Sequence, residues 1–493
     1  MTSSAPGAAM MTNNPRLLAM ALGLALLAAP LSARADIVLY TLPGTEAQMV
    51  LQGSTTVNPG GTITFTHSKF GKIYFKLGET EIKKVPTLGS QFQKQLGRAG
   101  ATADARMKAA DWALKHGMLP QFYEAVEKAL DADPQHQRAT LVKKLREKMS
   151  APIADSSQQE KELRQLVNRP EMKIKTSKHF MLLHDTPDRP APNRRVPRAD
   201  ERLQLLEQVY ESFLLRFYAH GVELTIPTER MKVVLFNDQK DYLYFATRLS
   251  PTLSSAAGFW DPNNNTSVFY DGGSTEGAKS MKRLNDLLQQ MKKDAQKARG
   301  PNSADIVRTA DSFGYVIEIA KENQDITVVS HEATHQMAGN TGLFPRFVRV
   351  PSWVHEGLAS YFETPDGAAW GGIGAVNKQR LQWYRALEPD KVHSNIDFIV
   401  GDQIFDYAGS HASTLHGYAQ AWALTHFCME RHFPEFIQFY RRLGEMPPDV
   451  IISQDVLTEL FHTTVGDASK LDAEWRIYMR SLKTDLERVL EDS

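Results

Sequence analysis

Residues 331–340 read His331-Glu332-Ala333-Thr334-His335-Gln336-Met337-Ala338-Gly339-Asn340. Two histidines four apart on a helix share one face, so both imidazoles can reach a single ion. Glu332 lies about 100° around the helix axis from His331. That puts it beside the ion rather than on it, where a base must sit to take a proton from a water. The chain holds 15 His in 493 residues, and such a composition produces an H-E-x-x-H match by chance about 0.03 times per chain. The motif is moderately specific alone, so its neighbours decide. Ile326, Val329, Ala333 and Met337 form an apolar stripe at helical spacing. Asp325 is placed to cap a helix start, and Gly339-Asn340 is a stop signal. The motif is therefore expected inside a helix running from Asp325 to Gly339-Asn340.

A catalytic tetrahedral zinc needs three protein ligands and leaves the fourth position to water. A metzincin would place its third histidine six residues after His335, and that position is Thr341. The best third ligand is Glu356, in Trp353-Val354-His355-Glu356-Gly357-Leu358-Ala359-Ser360. Pro351-Ser352 is a good helix start with Ser352 as the expected cap, and Gly357 permits close helix–helix approach. Glu363 competes with Glu356, being two helical turns away on the same face. It precedes Thr364-Pro365, where the helix should be ending, so Glu363 is expected to be an exposed helix-end carboxylate. His355 is expected at the rim of the site or directly behind a ligand.

Outward from the motif the pattern is strand, helix, strand, strand, then helices only. Strands are expected at Met172–Thr176, His179–Leu183, Lys232–Phe236 and, as a hairpin, Gly258–Trp260 with Ser267–Tyr270. A helix carries Leu203, Leu206, Val209, Tyr210, Phe213 and Phe217 on one stripe. The fold class is α+β, mostly helical with a small mixed sheet over 171–493. Two further modules are expected upstream. Residues 36–90 hold short β-branched or aromatic runs and read as a small β-barrel or sandwich. Residues 101–149 read as a two-helix hairpin, in which Ala125–Pro134 resembles the second helix of a tetratricopeptide repeat. One such unit is too few for an array, although the hairpin offers a surface for a protein partner. Ser150–Pro170 is polar and reads as a linker. Lys279–Arg299 is a basic amphipathic helix, expected to dock on the body with its charges solvated.

H-E-x-x-H followed by a W-x-x-E-G-x-A-S helix resembles the gluzincin metallopeptidases, the thermolysin and M1-type aminopeptidase clan. It looks most like uncharacterised secreted bacterial peptidase-MA-like proteins. The likeness covers roughly Met172–Leu482, and only the zinc motifs within it are specific. The resemblance implies a zincin-type catalytic domain, zinc on His331, His335 and Glu356, and Glu332 as the general base. It also implies a Tyr or His from a later helix to stabilise the oxyanion. Tyr418 is the first candidate, although Tyr418, Trp422 and Thr425 share a stripe that could equally be core. His416 and His426 are weaker candidates, and His411 and His416 are read as solvated loop residues. Ser360 stands where thermolysin-like enzymes carry an Asp that supports a ligand histidine. The aminopeptidases' G-x-M-E-N motif is absent, with Ala257-Gly258-Phe259-Trp260 in the comparable strand region.

Composition bounds the rest. Lys+Arg and Asp+Glu are 57 each, which removes any global attraction to nucleic acid. One cysteine, Cys428, excludes an intrachain disulfide and any cysteine-rich zinc site, which needs two to four thiolates. Arg16, the apolar run Leu17–Ala29, Pro30 and Ala33-Arg34-Ala35 read as a secretory signal, residues 1–35, cleaved after Ala35. A run of that length is too short to span a membrane, so no transmembrane span is expected after cleavage. The chain is expected in the periplasm or outside the cell, as a zinc metallopeptidase acting on peptide or protein substrates. The alternative is a catalytically inactive gluzincin-fold binding or scaffold protein of the cell envelope.

Overall fold

The computed structural model describes residues 34–491 apart from 42–47, 155, 192–193, 273–275, 301 and 412. The expected signal segment lies outside the described residues except for Arg34 and Ala35, which open the first strand. The architecture is mixed α+β and 58% helical, with small sheets and an all-β N-terminal region.

Five strands begin the chain: β1 (Arg34–Thr41), β2 (Gln48–Asn58), β3 (Thr62–His67), β4 (Gly71–Lys76) and β5 (Thr80–Pro86). They form one sheet in the order β4-β3-β2-β1-β5, with every neighbouring pair antiparallel. The long β2 pairs with β1 over Gln48–Gly53 and with β3 over Ser54–Asn58, so the strands fall into two halves that share β2 around one core. Along β3 burial alternates with period two, which marks a sheet with one covered face. That face carries Val38, Ile63, Phe65 and Phe75, and Tyr315, Val316 and Ile319 from a later helix cover it. The later helix thus closes one side of this β core.

Four helices follow: α1 (Leu88–Arg98), α2 (Ala103–Lys115), α3 (Leu119–Ala132) and α4 (Gln137–Ser150). The two-helix hairpin is therefore one part of a longer helical run, and its apolar faces join the main core. The stretch read as a linker contains α5 (Ser157–Val167). Leu163 and Val167, one turn apart, are buried against the second sheet. Their polar surroundings hid this narrow stripe.

The second sheet is built from β6 (Lys173–Thr176), β7 (Phe180–His184), β8 (Met231–Phe236), β9 (Gly258–Asp261) and β10 (Thr266–Tyr270). Its order is β6-β7-β8-β10-β9. The inner pairs β7/β8 and β8/β10 are parallel, and the outer pairs β6/β7 and β10/β9 are antiparallel. The helix α6 (Arg198–Tyr218) connects β7 to β8, and α7 (Gln239–Leu249) lies between β8 and β9. Side chains alternate between faces along a strand. Accordingly Phe180, Leu182, Val233 and Leu235 join the core of α6, while Met181, Leu183, Val234 and Phe236 join Leu163, Tyr242 and Phe245 on the other face.

The remainder is helical: α8 (Glu276–Ala298), α9 (Ser303–Asn340), α10 (Ser352–Phe362), α11 (Lys378–Leu387), α12 (Ile396–Val400), α13 (Gln403–His411), α14 (Thr414–Arg431), α15 (Phe433–Gly444), α16 (Gln454–Thr464), α17 (Ala468–Ser481) and α18 (Asp485–Glu491). A two-stranded ribbon, β11 (Pro365–Asp366) with β12 (Ala369–Trp370), separates α10 from α11. α8 packs along the first half of α9 with Leu288 buried, while Leu284, Leu287 and Met291 stay exposed.

α9 is a single helix of 38 residues, so Asp325 is not its cap. It sits in mid-helix, 5% exposed, where a lone carboxylate would be costly. Arg202 donates to it at 2.8 Å, Arg198 also pairs with it, and the Gly272 N–H donates at 3.0 Å. One turn earlier Glu322 accepts from Lys69 (2.7 Å), Arg194 (3.0 Å) and Arg198 (2.6 Å). This cluster ties the N-terminal sheet, α6 and α9 together just ahead of the motif.

Candidate metal centre

His331 and His335 occupy the buried C-terminal half of α9. Their rings lie 4.7 Å apart at 85°. α10 brings Glu356 to them from across the site. Glu356 Oε2 is 2.9 Å from His331 Nε2 and 3.8 Å from His335 Nε2. One candidate ligand atom from each of the three residues falls within 4.8 Å of the others. A set of two imidazoles and one carboxylate fits zinc and does not resemble the all-oxygen shells of calcium or magnesium.

α10 is aimed by its two ends. Ser352 is its first residue and not its cap; Asp402 accepts the N–H groups of Ser352 at 2.8 Å and Trp353 at 2.9 Å. Gly357 lets α10 press against α14, since a Cβ there would stand 2.7 Å from the Ala421 carbonyl oxygen and would strike the Thr425 hydroxyl. The close approach expected at Gly357 is thus made to α14, which turns Glu356 toward α9.

Glu363 is not an exposed helix-end carboxylate. It is 1% exposed. Its Oε2 lies 2.7 Å from His331 Nδ1, while its Oε1 accepts from Arg380 Nε at 2.8 Å and Asn377 Nδ2 at 3.1 Å. The helix carries on to Phe362, and the chain after Thr364 folds back as the β11–β12 ribbon and buries its end. A carboxylate on Nδ1 fixes that nitrogen as the protonated one and leaves Nε2 free to ligate. Glu363 therefore fills the supporting role for which the resemblance pointed to Ser360; Ser360 lies buried with its hydroxyl unbonded.

The charges follow from this wiring. Burial works against a charged His331, but the hydrogen bonds to Glu356 and Glu363 outweigh it and push its pKa up to about 10. His335 goes the other way, driven well down by burial and by the neighbouring His355 and His331. Burial would raise Glu363, yet Arg380 and His331 pull it down to about 2. Burial dominates at Glu332 and pushes its carboxyl up to about 7.

Glu332 faces β9, the edge strand of the second sheet. The Trp260 N–H donates to its carboxylate. Gly258 makes this approach possible, because a Cβ there would lie 3.1 Å from Glu332 Cγ and 2.8 Å from Val328. His355 stacks on His335 with ring centres 4.0 Å apart, and Trp260 stacks on His355 at 6.3 Å.

Tyr418, in the second turn of α14, is half-buried with its ring 6.2 Å from that of His331. The Arg380 guanidinium lies over it at 4.9 Å, and Phe405 meets it edge-on at 5.4 Å. Burial and the nearby Glu356 and Glu332 raise the pKa of its phenol. His416 is on α14 rather than in a loop, and its Nδ1 meets the Trp383 carbonyl at 3.2 Å. His411 ends α13. His426 is a core residue whose Nε2 donates to the Gly374 carbonyl at 2.9 Å while Tyr478 donates to its Nδ1 at 2.8 Å. Of the three later-helix candidates, Tyr418 alone is placed beside the histidines by a ring contact.

Sequence reading missed Asn377, Arg380 and the true place of Glu363. The seven-residue spacing from Glu356 to Glu363 was visible and pointed to one face. Nothing local marks Asn377 and Arg380, which reach the site only because the ribbon folds back.

A family model described as a protein of unknown function (DUF1570) matches residues 325–449. The matched span holds His331, Glu332, His335, Glu356, Glu363, Arg380 and Tyr418, and leaves out both sheets. No curated protein and no solved structure matches the chain.

Proposed function

We propose that this chain is an exported zinc metallopeptidase of the gluzincin type, hydrolysing peptide bonds with Glu332 as the base. The observation that carries this reading is the convergence of His331, His335 and Glu356 within 4.8 Å with Glu332 beside them. These three residues would hold zinc, and zinc there would supply a Lewis acid to activate a water and the scissile carbonyl. Glu332, buried beside these three residues, would accept the proton of the attacking water and return it to the leaving amine. The Trp260 N–H holds that carboxylate in place. Glu363 keeps His331 in the ligating tautomer. Tyr418 offers its phenol O–H to the developing oxyanion.

The placement of the motif helix against a sheet with an antiparallel edge strand, followed by a helical half, supports a zincin-type fold for residues 171–493. Export rests on the N-terminal apolar segment. No helix among the described residues is long and apolar enough to cross a membrane. Cys428 is free and buried.

The test is elemental analysis of the purified chain followed by peptide-library cleavage with and without a chelator. About one zinc per chain and chelator-sensitive cleavage are expected, and Glu332→Gln should keep the zinc while losing a factor of about 100 or more in turnover. Bound zinc with no cleavage of any peptide would favour the scaffold reading instead.

A further inference from the structure

We propose that Arg380 is a positioning residue that couples the support of His331 to the placement of Tyr418; its kinetic consequence rests on the peptidase reading, while its structural consequence does not. Glu363 belongs to the end of α10 and Tyr418 to α14, and no hydrogen bond joins them. Arg380 touches both. Its Nε donates to Glu363 Oε1 at 2.8 Å, and its guanidinium carbon lies 4.9 Å from the centre of the Tyr418 ring. Arg380 is 8% exposed, so its head group has little freedom to swing out into water.

The start of α11 is locked to Glu363 a second time. Asn377 Nδ2 donates to the same Oε1 at 3.1 Å, and Asn377 Oδ1 accepts the Arg380 backbone N–H at 3.1 Å. Phe405 also meets the Tyr418 ring, with centres 5.4 Å apart and planes at 85°. The Tyr418 ring thus packs against Phe405 and against a guanidinium whose position is set by Glu363. Glu363 in turn sets His331 through Nδ1. One planar cation therefore orients a ligand histidine through a carboxylate and the oxyanion donor through its ring face. Lysine could keep a positive partner for Glu363, but it cannot lay a flat group on Tyr418. Arg380→Lys should separate the two roles.

The experiment uses the full chain labelled with 3-fluorotyrosine, with the Tyr418 fluorine resonance identified by its loss in Tyr418→Phe. Zn2+ affinity is read by competition with a chromophoric chelator. Glu363→Gln is expected to shift the Tyr418 resonance although no hydrogen bond joins the two residues, and to weaken Zn2+ binding about 10- to 100-fold. In an Arg380→Lys background, Glu363→Gln should shift the resonance no further. Arg380→Lys alone should shift the resonance and leave Zn2+ affinity within a few-fold of the wild type. On a cleaved peptide it should lower kcat with KM nearly unchanged, and combining it with Tyr418→Phe should cost no more than Tyr418→Phe alone. Such non-additivity is the mark of residues acting through one another.

A Tyr418 resonance unmoved by Glu363→Gln would overturn the proposal, as would additive losses in the double variants, which are what a merely structural arginine gives. If Arg380→Lys does not fold, Arg380→Gln takes its place in the same comparison, because Glu363 also acts on Tyr418 through its own charge. Absence of cleavage by every variant would sink the peptidase reading and leave the resonance and Zn2+ results standing. Cleavage with an unmoved resonance would do the reverse.

Discussion

Replacing Glu363 by alanine separates the folded molecule from the reading of its sequence. An exposed helix-end carboxylate costs at most about 1 kcal/mol to remove. The observed Glu363 is 1% exposed and pairs with Arg380, itself 8% exposed. Removing it strands the guanidinium and leaves the His331 Nδ1–H without its acceptor. Breaking a buried ion pair from one side costs about 3–5 kcal/mol, and loss of a ligand's supporting carboxylate weakens metal binding about 10- to 100-fold. The two effects combine when zinc is present. At a free zinc concentration 100 times the wild-type dissociation constant, the wild type gains about 2.7 kcal/mol of stability, whereas the variant gains only about 0.4–1.4 kcal/mol. Urea unfolding followed by tryptophan fluorescence, with and without zinc, measures both. Glu445→Ala is the control, because Glu445 is an exposed carboxylate at the end of α15, and it should stay within about 0.5 kcal/mol. A Glu363→Ala variant indistinguishable from Glu445→Ala in stability and in zinc response would refute the buried placement and the support assigned to it.

Gly357→Ala should destabilise the chain by about 1–3 kcal/mol and weaken zinc binding, since α10 must lift off the Ala421 carbonyl oxygen and carry Glu356 with it; unfolding and chelator competition on the same preparation check this, and an unaltered protein would show that α10 and α14 are not so close. Tyr418→Phe should lower kcat by about 10- to 1000-fold as an oxyanion donor does, with zinc content unchanged; a rate within twofold of the wild type would return Tyr418 to the core. An acid limb is expected from Glu430. Burial raises its pKa, but Lys115 and Arg216 outweigh that and hold it at about 2 against an ordinary 4.5. A carboxylate with a depressed folded pKa stabilises the native state fully above its unfolded pKa. Its contribution should therefore be present above pH 4.5, fade as pH falls toward 2, and be missing in Glu430→Gln, whose stability should fall less steeply over that window.

Much of the site was legible because it is local. His331, Glu332 and His335 take their mutual geometry from helical spacing alone, and Glu356 follows from a short helix that the Trp353–Ser360 motif marks. The strands of the second sheet were legible for a similar reason, since runs such as Lys232–Phe236 are apolar on both faces and sit between turn residues. Local pattern fails where the satisfying partner is remote. Asp325 looks like a cap because a carboxylate in mid-helix is costly, and only Arg198 and Arg202, more than a hundred residues earlier, remove that cost. The α5 stripe is two buried side chains in a polar stretch, too narrow to see until the sheet is laid beneath it. The N-terminal strands carry the period of a half-buried sheet but do not reveal that Tyr315 of a distant helix completes their core. Glu363 is the sharpest case. Its sequence position marks a helix end, and helix ends face water by default. The ribbon at 365–370 folds back over it and delivers Asn377 and Arg380, turning a surface carboxylate into a buried one that orients His331. Spacing along one helix determined which atoms could meet an ion; the packing of α10, α11 and α14 decided which groups hold those atoms still, because burial and long-range charge pairing arise only once the chain has closed on itself.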